Sequence, residues 1–381
     1  MDIAIEGFVA PGFERVKEAF AANWEGYEVG ASCAVVHKGK WVVDLWGGYR
    51  QRDLQKPWQK DTLVNVYSTT KGMAALTIAI LVDEGRLDYD DRVVDYWPEF
   101  GANGKEKVTV AQVLSHQAGI CGVSERITNA DLYDWEKMTR LLAEQKPFWE
   151  PCKTAGYHAV TWGYPAGEIV RRVTGKTLGT VFREKVAKPL NADFFIGLPD
   201  AEMDRVADLV GPNRARVPQK PVLNPEVPRF YSVALMNPGI RPFKDACSTA
   251  WRKAEIPAAN GQANARAIAR IYGALANGGE IEGIRIISKA GIDRAVREEI
   301  VVPEDPVTGS PMRFARGFML NVEDNYGPNP DSFGHGGAGG SIGFADPEAN
   351  IAVGYAMNQM QVNPDDEPRA GFLVDAVYKS I

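Results

Sequence analysis

One segment of the chain is apolar on almost every side and therefore has to be buried wherever the chain folds. Residues 73 to 82, with the sequence MAALTIAILV, are almost wholly apolar and lack Pro and Gly. Such a run predicts a buried helix. Asp83-Glu84-Gly85 follows directly and predicts the end of that helix. Any fold open to this chain must enclose this helix.

The residues just before this helix carry the most informative chemistry. In the sequence Ser68-Thr69-Thr70-Lys71, the serine and the lysine are three positions apart and share one face of the first turn. The positive end of a helix stabilises negative charge on the serine and disfavours protonation of the lysine. Burial lowers the lysine pKa as well. S-x-x-K also occurs by chance, but here it places a nucleophile and a tunable base together, which is an arrangement for acyl transfer.

Length, composition and charge exclude several classes of protein. A chain of 381 residues is long enough for two or three domains, and 45% hydrophobic and 24% charged residues are typical of a globular protein. The net charge of −6 and the lack of a basic tract argue against nucleic acid as a partner. No apolar run approaches the ~18 residues of a membrane span. We therefore expect neither a nucleic-acid nor a membrane partner.

The cysteines, the histidines and the first residues indicate a cytoplasmic protein without a metal or cofactor. The cysteines are widely spaced, form no C-x-x-C pair and are typical of free thiols in a reducing compartment. No histidine has a metal-ligand spacing to another His or Cys. The first residues, MDIAIEGFVAPGFERV, lack the basic and apolar regions of a signal peptide. The residues concerned are Cys33, Cys121, Cys152, Cys247, His37, His116, His158 and His335.

The order of the periodic segments predicts an α+β fold. The chain begins with an amphipathic helix and a β-hairpin, continues through mostly helical sequence and ends with strands and a last helix. The first and last β segments are expected to form one antiparallel sheet, with the helical middle inserted between them. The predicted strands are 30–37, 41–48, 314–321, 341–346 and 350–358, and the predicted helices are 11–25, 73–82, 109–116, 131–146, 161–174, 178–189, 261–277 and 367–379.

This order also predicts how the catalytic unit is divided. We expect residues 1–62 and 310–381 to form an α/β subdomain and residues 63–309 to form a mostly helical one. Within the second, residues 211–258 are rich in proline, which interrupts every periodic pattern. Irregular stretches of this length often line a functional site, although a surface excursion without a role is the alternative.

A second candidate lies in Gly156-Tyr157-His158-Ala159, just before the predicted helix over 161–174. A tyrosine beside two cations can lose its proton well below its usual pKa of about 10 and then act as a general base. The alternative is a half-buried core tyrosine.

The third candidate is the glycine-rich stretch from Gly334 to Gly343, in which three motifs overlap. One of them, His335-Gly336-Gly337, mimics a lipase oxyanion motif but lies far too close to Ser341. G-x-G-x-x-G would require a helix to follow, but a strand–turn–strand pattern follows instead. G-x-S-x-G around Ser341 would require a helix after the serine and a later histidine, yet His335 is the last histidine of the chain. We therefore interpret the stretch as a strand whose backbone approaches the substrate closely, and one of its N–H groups could join that of Ser68 in an oxyanion hole.

Taken together, these residues resemble the serine β-lactamase and penicillin-binding family, in particular its class C-like esterase branch, the family VIII carboxylesterases. The resemblance covers most of the chain. Ser68 to Lys71 matches the family's S-x-x-K, and Val113 to Ile120 looks like its L-L-x-H-x-x-G-[LI] segment. Tyr157-His158-Ala159 stands where the family has Y-x-N or Y-x-x, and His335-Gly336-Gly337 stands where β-lactamases have K-T-G.

The resemblance implies a fold and a set of roles. The fold is β-lactamase/DD-peptidase-like, with an antiparallel sheet flanked by helices plus a mostly helical domain, and the site lies between them. Ser68 would be the nucleophile, and Lys71 and Tyr157 would share the general-base and general-acid work. His335, followed by Gly336 and Gly337, would orient the substrate and tune Tyr157. Ala338 would supply the second oxyanion N–H.

Two departures from the β-lactamase pattern favour an uncharged ester as the substrate. Ala159 lacks the amide of the β-lactamase asparagine, and His335 replaces a lysine while being at most partly charged near neutral pH. We therefore expect a serine hydrolase that cleaves small carboxyl esters. A β-lactam, a D-amino peptide or a linear amide as substrate, acyl transfer to an alcohol, and a non-catalytic penicillin-binding-like protein are the alternatives.

Overall fold

A nine-stranded antiparallel sheet forms the centre of the molecule. The computed structural model describes residues 3–26, 28–53, 55–213, 228–361 and 369–381. The chain's first and last β segments meet in this sheet, as predicted, because the strand Gly30–His37 pairs with Ile351–Met357. In spatial order the strands are β1 (Ile5–Val9), β3 (Lys40–Gly48), β2 (Gly30–His37), β14 (Ile351–Met357), β13 (Ile342–Asp346), β12 (Phe333–Gly336), β11 (Met319–Leu320), β10 (Met312–Phe314) and β9 (Ile300–Val302).

Helices cover both faces of this sheet. The helices α1 (Glu14–Ala22) and α12 (Arg369–Tyr378) pack against one face, where Val35 and Val353 belong to the same apolar cluster. The helix α10 (Ala265–Ala276) packs against the other face. On that face the sheet presents small side chains such as Ala34 and Ala352, because successive residues of a strand point to opposite sides.

Two paired glycines bring α10 especially close to the sheet. Gly343 and Gly354 lie opposite each other on β13 and β14. A Cβ atom at Gly354 would collide with the backbone of α10, and one at Gly343 would collide with Ile268 and Tyr272. The helix therefore rests directly on β14 and on β13, the strand that follows the glycine-rich turn after β12.

The apolar helix predicted from the sequence is the central helix of the second layer. It is α2 (Thr69–Asp83), and all its residues from Thr69 to Val82 are buried. It contacts α5 (Gly163–Thr174), α6 (Leu178–Phe182) and α11 (Lys289–Ala295) as well as β12. Because α2 is enclosed on all sides, it needs no polar face.

The chain has further α-helices, of which α5, α6 and α11 contact α2. They are α3 (Val110–Leu114), α4 (Trp135–Glu144), α5 (Gly163–Thr174), α6 (Leu178–Phe182), α7 (Tyr231–Leu235), α8 (Pro242–Asp245), α9 (Thr249–Lys253) and α11 (Lys289–Ala295). Short strands β4 (Val64–Asn65), β5 (Phe194–Phe195) and β6 (Gln262–Ala263) form a three-stranded sheet, and β7 (Glu280–Ile281) pairs with β8 (Ile284–Arg285).

The proline-rich stretch contains short helices, and one strand of the large sheet comes from the middle of the chain. Residues 228–258 contain the short helices α7, α8 and α9, while residues 214–227 lie outside the described residues. The strand β9 belongs to the large sheet although it precedes residue 310. The division into residues 1–62 with 310–381 and residues 63–309 stays a prediction. Within the described ranges, no helix is long and apolar enough to cross a membrane.

Candidate active site

Ser68 lies at the first turn of α2, directly after a residue with an unusual backbone. Tyr67 has a φ of 43°, which a residue with a side chain seldom adopts and which is common at functional sites. Its conformation is held by two hydrogen bonds: its hydroxyl donates to the carbonyl of Pro242 at 2.8 Å, and its carbonyl accepts from the hydroxyl of Thr70. The sharp turn at Tyr67 leaves Ser68 half-buried, whereas the next residue, Thr69, is fully buried.

Lys71 is fully buried and its amine makes four close polar contacts. Its Nζ lies 2.7 Å from the carbonyl oxygen of Ala159 and 3.0 Å from that of Ala258. It also lies 3.1 Å from Ser68 Oγ and 3.0 Å from the hydroxyl of Tyr157. Burial lowers the pKa of Lys71 well below its usual value. A neutral amine has two hydrogens, which the two carbonyls accept, so its lone pair is left for a hydroxyl.

Tyr157 completes this triangle of polar groups. Its hydroxyl lies 2.7 Å from Ser68 Oγ and donates to it. Burial raises the pKa of Tyr157 above its usual value, and the charge of Asp305 raises it further. The expectation that two neighbouring cations lower this pKa is therefore wrong, because Lys71 is desolvated and the nearby histidines are neutral. In the free protein the tyrosine is a proton donor rather than a phenolate.

Two buried side chains hold the backbone of Tyr157 in place. Asp305 Oδ2 accepts a hydrogen bond from the Tyr157 N–H at 2.8 Å. His116 Nδ1 accepts from the N–H of His158 at 2.9 Å, and its carbonyl accepts from the N–H of Gly156 at 3.2 Å. The rings of His116 and Tyr157 lie 5.1 Å apart. The tyrosine is thus fixed from the residue before it to the residue after it.

The histidines around the site are neutral. Burial lowers the pKa of His158 and of His335 to about 3 and that of His116 well below its usual value. His335 lies on β12, with its ring 6.1 Å from that of Tyr157 and its Nδ1 2.6 Å from the carbonyl of Gly336. Its Nε2 is buried and finds no hydrogen-bond partner among the described residues. The site therefore carries no permanent positive charge from these residues.

The glycine-rich turn after β12 approaches the first turn of α2. Gly336 ends the strand, and Gly337 packs so closely against the carbonyl of Val66 that a Cβ atom would not fit. The next residue, Ala338, is exposed in the turn. The N–H groups of Ser68 and Ala338 donate to no hydrogen-bond acceptor in the part of the chain that the structure describes. Within the described residues, the first turn of α2 and the turn after β12 therefore each have one backbone N–H group without an acceptor.

Several residues of the site carried no clear signal in the sequence. Asp305 is far from Tyr157 along the chain, and none of the motifs in the sequence includes it. The carbonyl of Ala258 and the backbone of Tyr67 contribute through their positions in the fold, which their residue types do not predict. Ser341 was assigned no role, although its G-x-S-x-G pattern marked it for attention. Among the described residues, no group of three His, Cys, Asp or Glu side chains is placed to hold a metal ion.

Comparisons with known proteins find similar sequences over most of the chain. Residues 16–378 match the family model described as Beta-lactamase. The chain is 39% identical over 364 residues to Esterase/beta-lactamase LipL of Mycobacterium tuberculosis, a match that covers 93% of this chain and 83% of that protein.

Two solved structures extend the likeness to the whole fold. The crystal structure of a family VIII carboxylesterase is similar with a TM-score of 0.93 and 51% identity, over 99% of this chain and 100% of that one. A penicillin-binding protein homologue from Caulobacter crescentus is similar with a TM-score of 0.91 and 44% identity, over 99% of this chain and 100% of that one. The predicted β-lactamase-like α+β fold is confirmed.

Proposed function

The chain belongs to the beta-lactamase family and is a serine hydrolase of that family, and we propose that it cleaves small, uncharged carboxyl esters through an acyl-enzyme on Ser68. The observation that carries the proposal is the arrangement of Lys71. Two carbonyl oxygens accept the hydrogens of its neutral amine, and Ser68 Oγ lies 3.1 Å from the same nitrogen. The amine lone pair is thereby available to the serine proton.

In the acylation step, Lys71 is the general base. The Ser68 hydroxyl gives its proton to the Lys71 nitrogen while Oγ forms a bond to the ester carbonyl carbon, and the carbonyl electron pair moves onto oxygen. The pKa of Lys71, lowered by burial, suits an amine that must be unprotonated near neutral pH. The product of this step is a tetrahedral oxyanion beside a lysine ammonium.

Tyr157 is the general acid for the leaving group. When the bond from the carbonyl carbon to the alcohol oxygen breaks, the leaving oxygen takes the proton of the tyrosine hydroxyl, which stays protonated in the free enzyme. The Lys71 ammonium, 3.0 Å away, returns a proton to the tyrosine oxygen. The alcohol leaves and both side chains are neutral again. Water then repeats the sequence with the acyl group, and Ser68 is the leaving group.

The two free backbone donors suit the developing oxyanion. We propose that the N–H groups of Ser68 and Ala338 form the oxyanion hole. Each such donor typically contributes a factor of about 10² to 10³ in kcat in serine hydrolases. Gly336 and Gly337 let this segment lie close to the acyl group, because they add no side chain in front of it.

The neutrality of the site favours an uncharged substrate. A carboxylate-bearing substrate such as a β-lactam gains affinity from a fixed cation. At the position of the β-lactamase lysine this chain has His335, whose pKa of about 3 leaves it uncharged at neutral pH. A small ester needs no such cation.

The four free cysteines support the further proposal that the enzyme works in a reducing compartment such as the cytoplasm.

A labelling experiment combined with a substrate panel tests the proposal. A fluorophosphonate probe should add its mass to the peptide that contains Ser68 and not to the peptide that contains Ser341. Wild-type protein should hydrolyse p-nitrophenyl esters of short acyl chains far better than a chromogenic β-lactam. Ser68→Ala should lose turnover by about 10⁴- to 10⁶-fold while keeping its thermal transition. A label on Ser341, or an active Ser68→Ala variant, would overturn the assignment.

A further inference from the structure

Ser341, the serine of the G-x-S-x-G pattern, is buried next to the proposed nucleophile. Its Oγ lies 2.8 Å from the carbonyl oxygen of Val66 and 3.1 Å from the hydroxyl oxygen of Thr69. A carbonyl oxygen only accepts, so Ser341 donates its proton to Val66 and accepts one from Thr69. With its proton committed in this way, Ser341 is bound as a structural hydroxyl rather than poised as a nucleophile.

The two partners of Ser341 stand on either side of Ser68 in the chain. Val66 precedes the unusual backbone turn that leads into α2, and Thr69 is the first residue of that helix. Both hydrogen bonds are buried, since Ser341 is 3% exposed and Thr69 is 0% exposed. Ser341 therefore ties down the turn that carries the Ser68 N–H from both ends.

Ser341 also closes the turn that carries the Ala338 N–H. Its own carbonyl accepts a hydrogen bond from the N–H of Gly337 at 2.7 Å, and the carbonyl of Gly337 accepts from Gly340 at 3.0 Å. Gly337 has no room for a side chain, because a Cβ atom would overlap Val66 and Ser341 Oγ. One residue thus belongs to the turn after β12 through its backbone and to the turn before α2 through its side chain.

We propose that Ser341 is a positioning residue that sets the separation of the Ser68 and Ala338 N–H groups, and this inference rests on the proposed function. The two donors belong to different layers of the fold, one to the helix α2 and one to the sheet. Donors in an oxyanion hole have to lie about 2.7–3.1 Å from the oxyanion oxygen. A direct hydrogen-bonded link between their two turns is what keeps that geometry.

Loss of the link should weaken transition-state stabilisation and leave substrate binding nearly intact. We expect Ser341→Ala to lower kcat by about 10- to 100-fold, less than the loss of a whole oxyanion donor. KM should change by less than about threefold, since an interaction made only in the transition state is affected. The preference for an oxoester over the matching thionoester should fall as well, because the larger and softer sulfur depends less on well-placed N–H donors.

Thr69→Val tests the same link from its other end. The substitution keeps the shape of the side chain and removes the hydroxyl that donates to Ser341. It should lower kcat and the oxoester preference in the same direction as Ser341→Ala. In the double variant it should add nothing, because Ser341→Ala has already removed the acceptor.

Thr77→Val is the matched control. Thr77 is a buried threonine of the same helix, its hydroxyl donates to the carbonyl of Met73 at 2.9 Å, and it lies more than two turns beyond Ser68. It should cost a similar amount of thermal stability without a change in kcat or in the oxoester preference.

The measurement is kcat and kcat/KM for one oxoester and its thionoester on all four variants, with fluorophosphonate labelling of Ser68 as the check on the proposed function. Labelling on Ser68 together with wild-type kcat and oxoester preference in Ser341→Ala would overturn this inference and leave the proposed function standing. A lower kcat with an unchanged oxoester preference would equally overturn it, since that is the result of general destabilisation. If Ser341→Ala does not fold, the oxoester preference of Thr69→Val decides in the same way.

Discussion

The amine of Lys71 and the hydroxyl of Tyr157 lie 3.0 Å apart, and burial shifts their pKa values in opposite directions. The lysine pKa is lowered and the tyrosine pKa is raised, so both groups are neutral in the free enzyme. Transfer of the tyrosine proton to the lysine creates a phenolate and an ammonium, and the total charge of the pair stays zero. The two groups therefore titrate as one unit, and in the proposed mechanism they pass the proton taken from Ser68 on to the leaving group.

Removal of either partner should slow the chemical step without preventing folding. We expect Lys71→Ala and Tyr157→Phe each to lower kcat by at least about 10²-fold, the usual scale for a positioned acid or base. The double variant should lose less than the product of the two factors, because both residues serve one proton relay. Steady-state kinetics on a p-nitrophenyl ester measures this. Independent, fully multiplicative losses would mean that the two side chains act in separate steps.

Asp305→Asn should affect catalysis through the backbone of Tyr157. Asp305 accepts from the N–H groups of Tyr157 at 2.8 Å and of Val307 and Thr308 at 2.9 Å. An asparagine keeps only one acceptor oxygen, so at least one of these N–H groups loses its partner, at a cost of about 1–3 kcal/mol in unfolding free energy. We expect kcat to fall about 10-fold, less than the factor of about 10² or more expected for the loss of a positioned acid or base.

The pH profile separates this effect from simple destabilisation. The carboxylate of Asp305 raises the pKa of Tyr157, so its removal should move the basic limb of kcat/KM to lower pH. Asp346→Asn is the control, because Asp346 is equally buried and accepts from the N–H groups of Glu348 and Ala349 in a turn away from the site. It should lower the melting temperature and leave the basic limb in place. Equal profiles for the two variants would refute the role given to Asp305.

Local patterns in the sequence were sufficient to predict most of the helices and strands, but not all residues of the candidate site. The buried helix, its end near Asp83 and the pairing of the first and last β segments follow from apolar periodicity and breaker residues. The strand Ile5–Val9 was missed, because it contains Glu6 and Gly7 and has no clear alternation. The helices within 228–258 were hidden by prolines, which begin α8 and interrupt the periodicity around the others.

Likewise, only some residues of the candidate site could be predicted from local patterns in the sequence. Ser68 and Lys71 could be paired from the sequence because one helical turn joins them. Tyr157 and His335 could be added only from the order of family motifs, since no local rule brings them to Ser68. The pKa of Tyr157 was expected in the wrong direction, because desolvation depends on what surrounds the ring and not on the neighbours in the sequence. Asp305 and the carbonyl of Ala258 required the fold itself.

The neutral histidines should make the protein sensitive to mild acid. In the folded state burial lowers the pKa of His158 to about 3, whereas an unfolded histidine has a pKa of about 6.5. The stability that this group contributes is complete above about pH 6.5 and is lost as the pH falls toward 3. Protonation would also place a second donor against the N–H of Ile120, which His158 Nε2 accepts at 3.0 Å.

Urea unfolding at several pH values measures this contribution. Between about pH 6 and pH 4, His158→Gln should reduce the slope of unfolding free energy against pH by about 1.4 kcal/mol per pH unit, the value for one proton. His37→Gln is the control, since His37 is less buried than His158 and the substitution should change the slope less. A variant at position 158 with the wild-type slope would mean that this histidine is not kept neutral by the fold.

His335→Lys tests whether the neutrality of the site selects the substrate. The imidazole of His335 lies with its ring 6.1 Å from that of Tyr157. A lysine that keeps its charge at this buried position should attract carboxylate-bearing substrates, so the ratio of β-lactam to neutral-ester kcat/KM should rise even if both values fall. The cation should also lower the pKa of Lys71 further and move the acid limb of the ester pH profile to lower pH.

His335→Gln, which adds no charge, should leave the acid limb where it is, because His335 itself titrates only near pH 3. If the lysine variant keeps both the wild-type substrate ratio and the wild-type acid limb, the charge at this position does not control specificity.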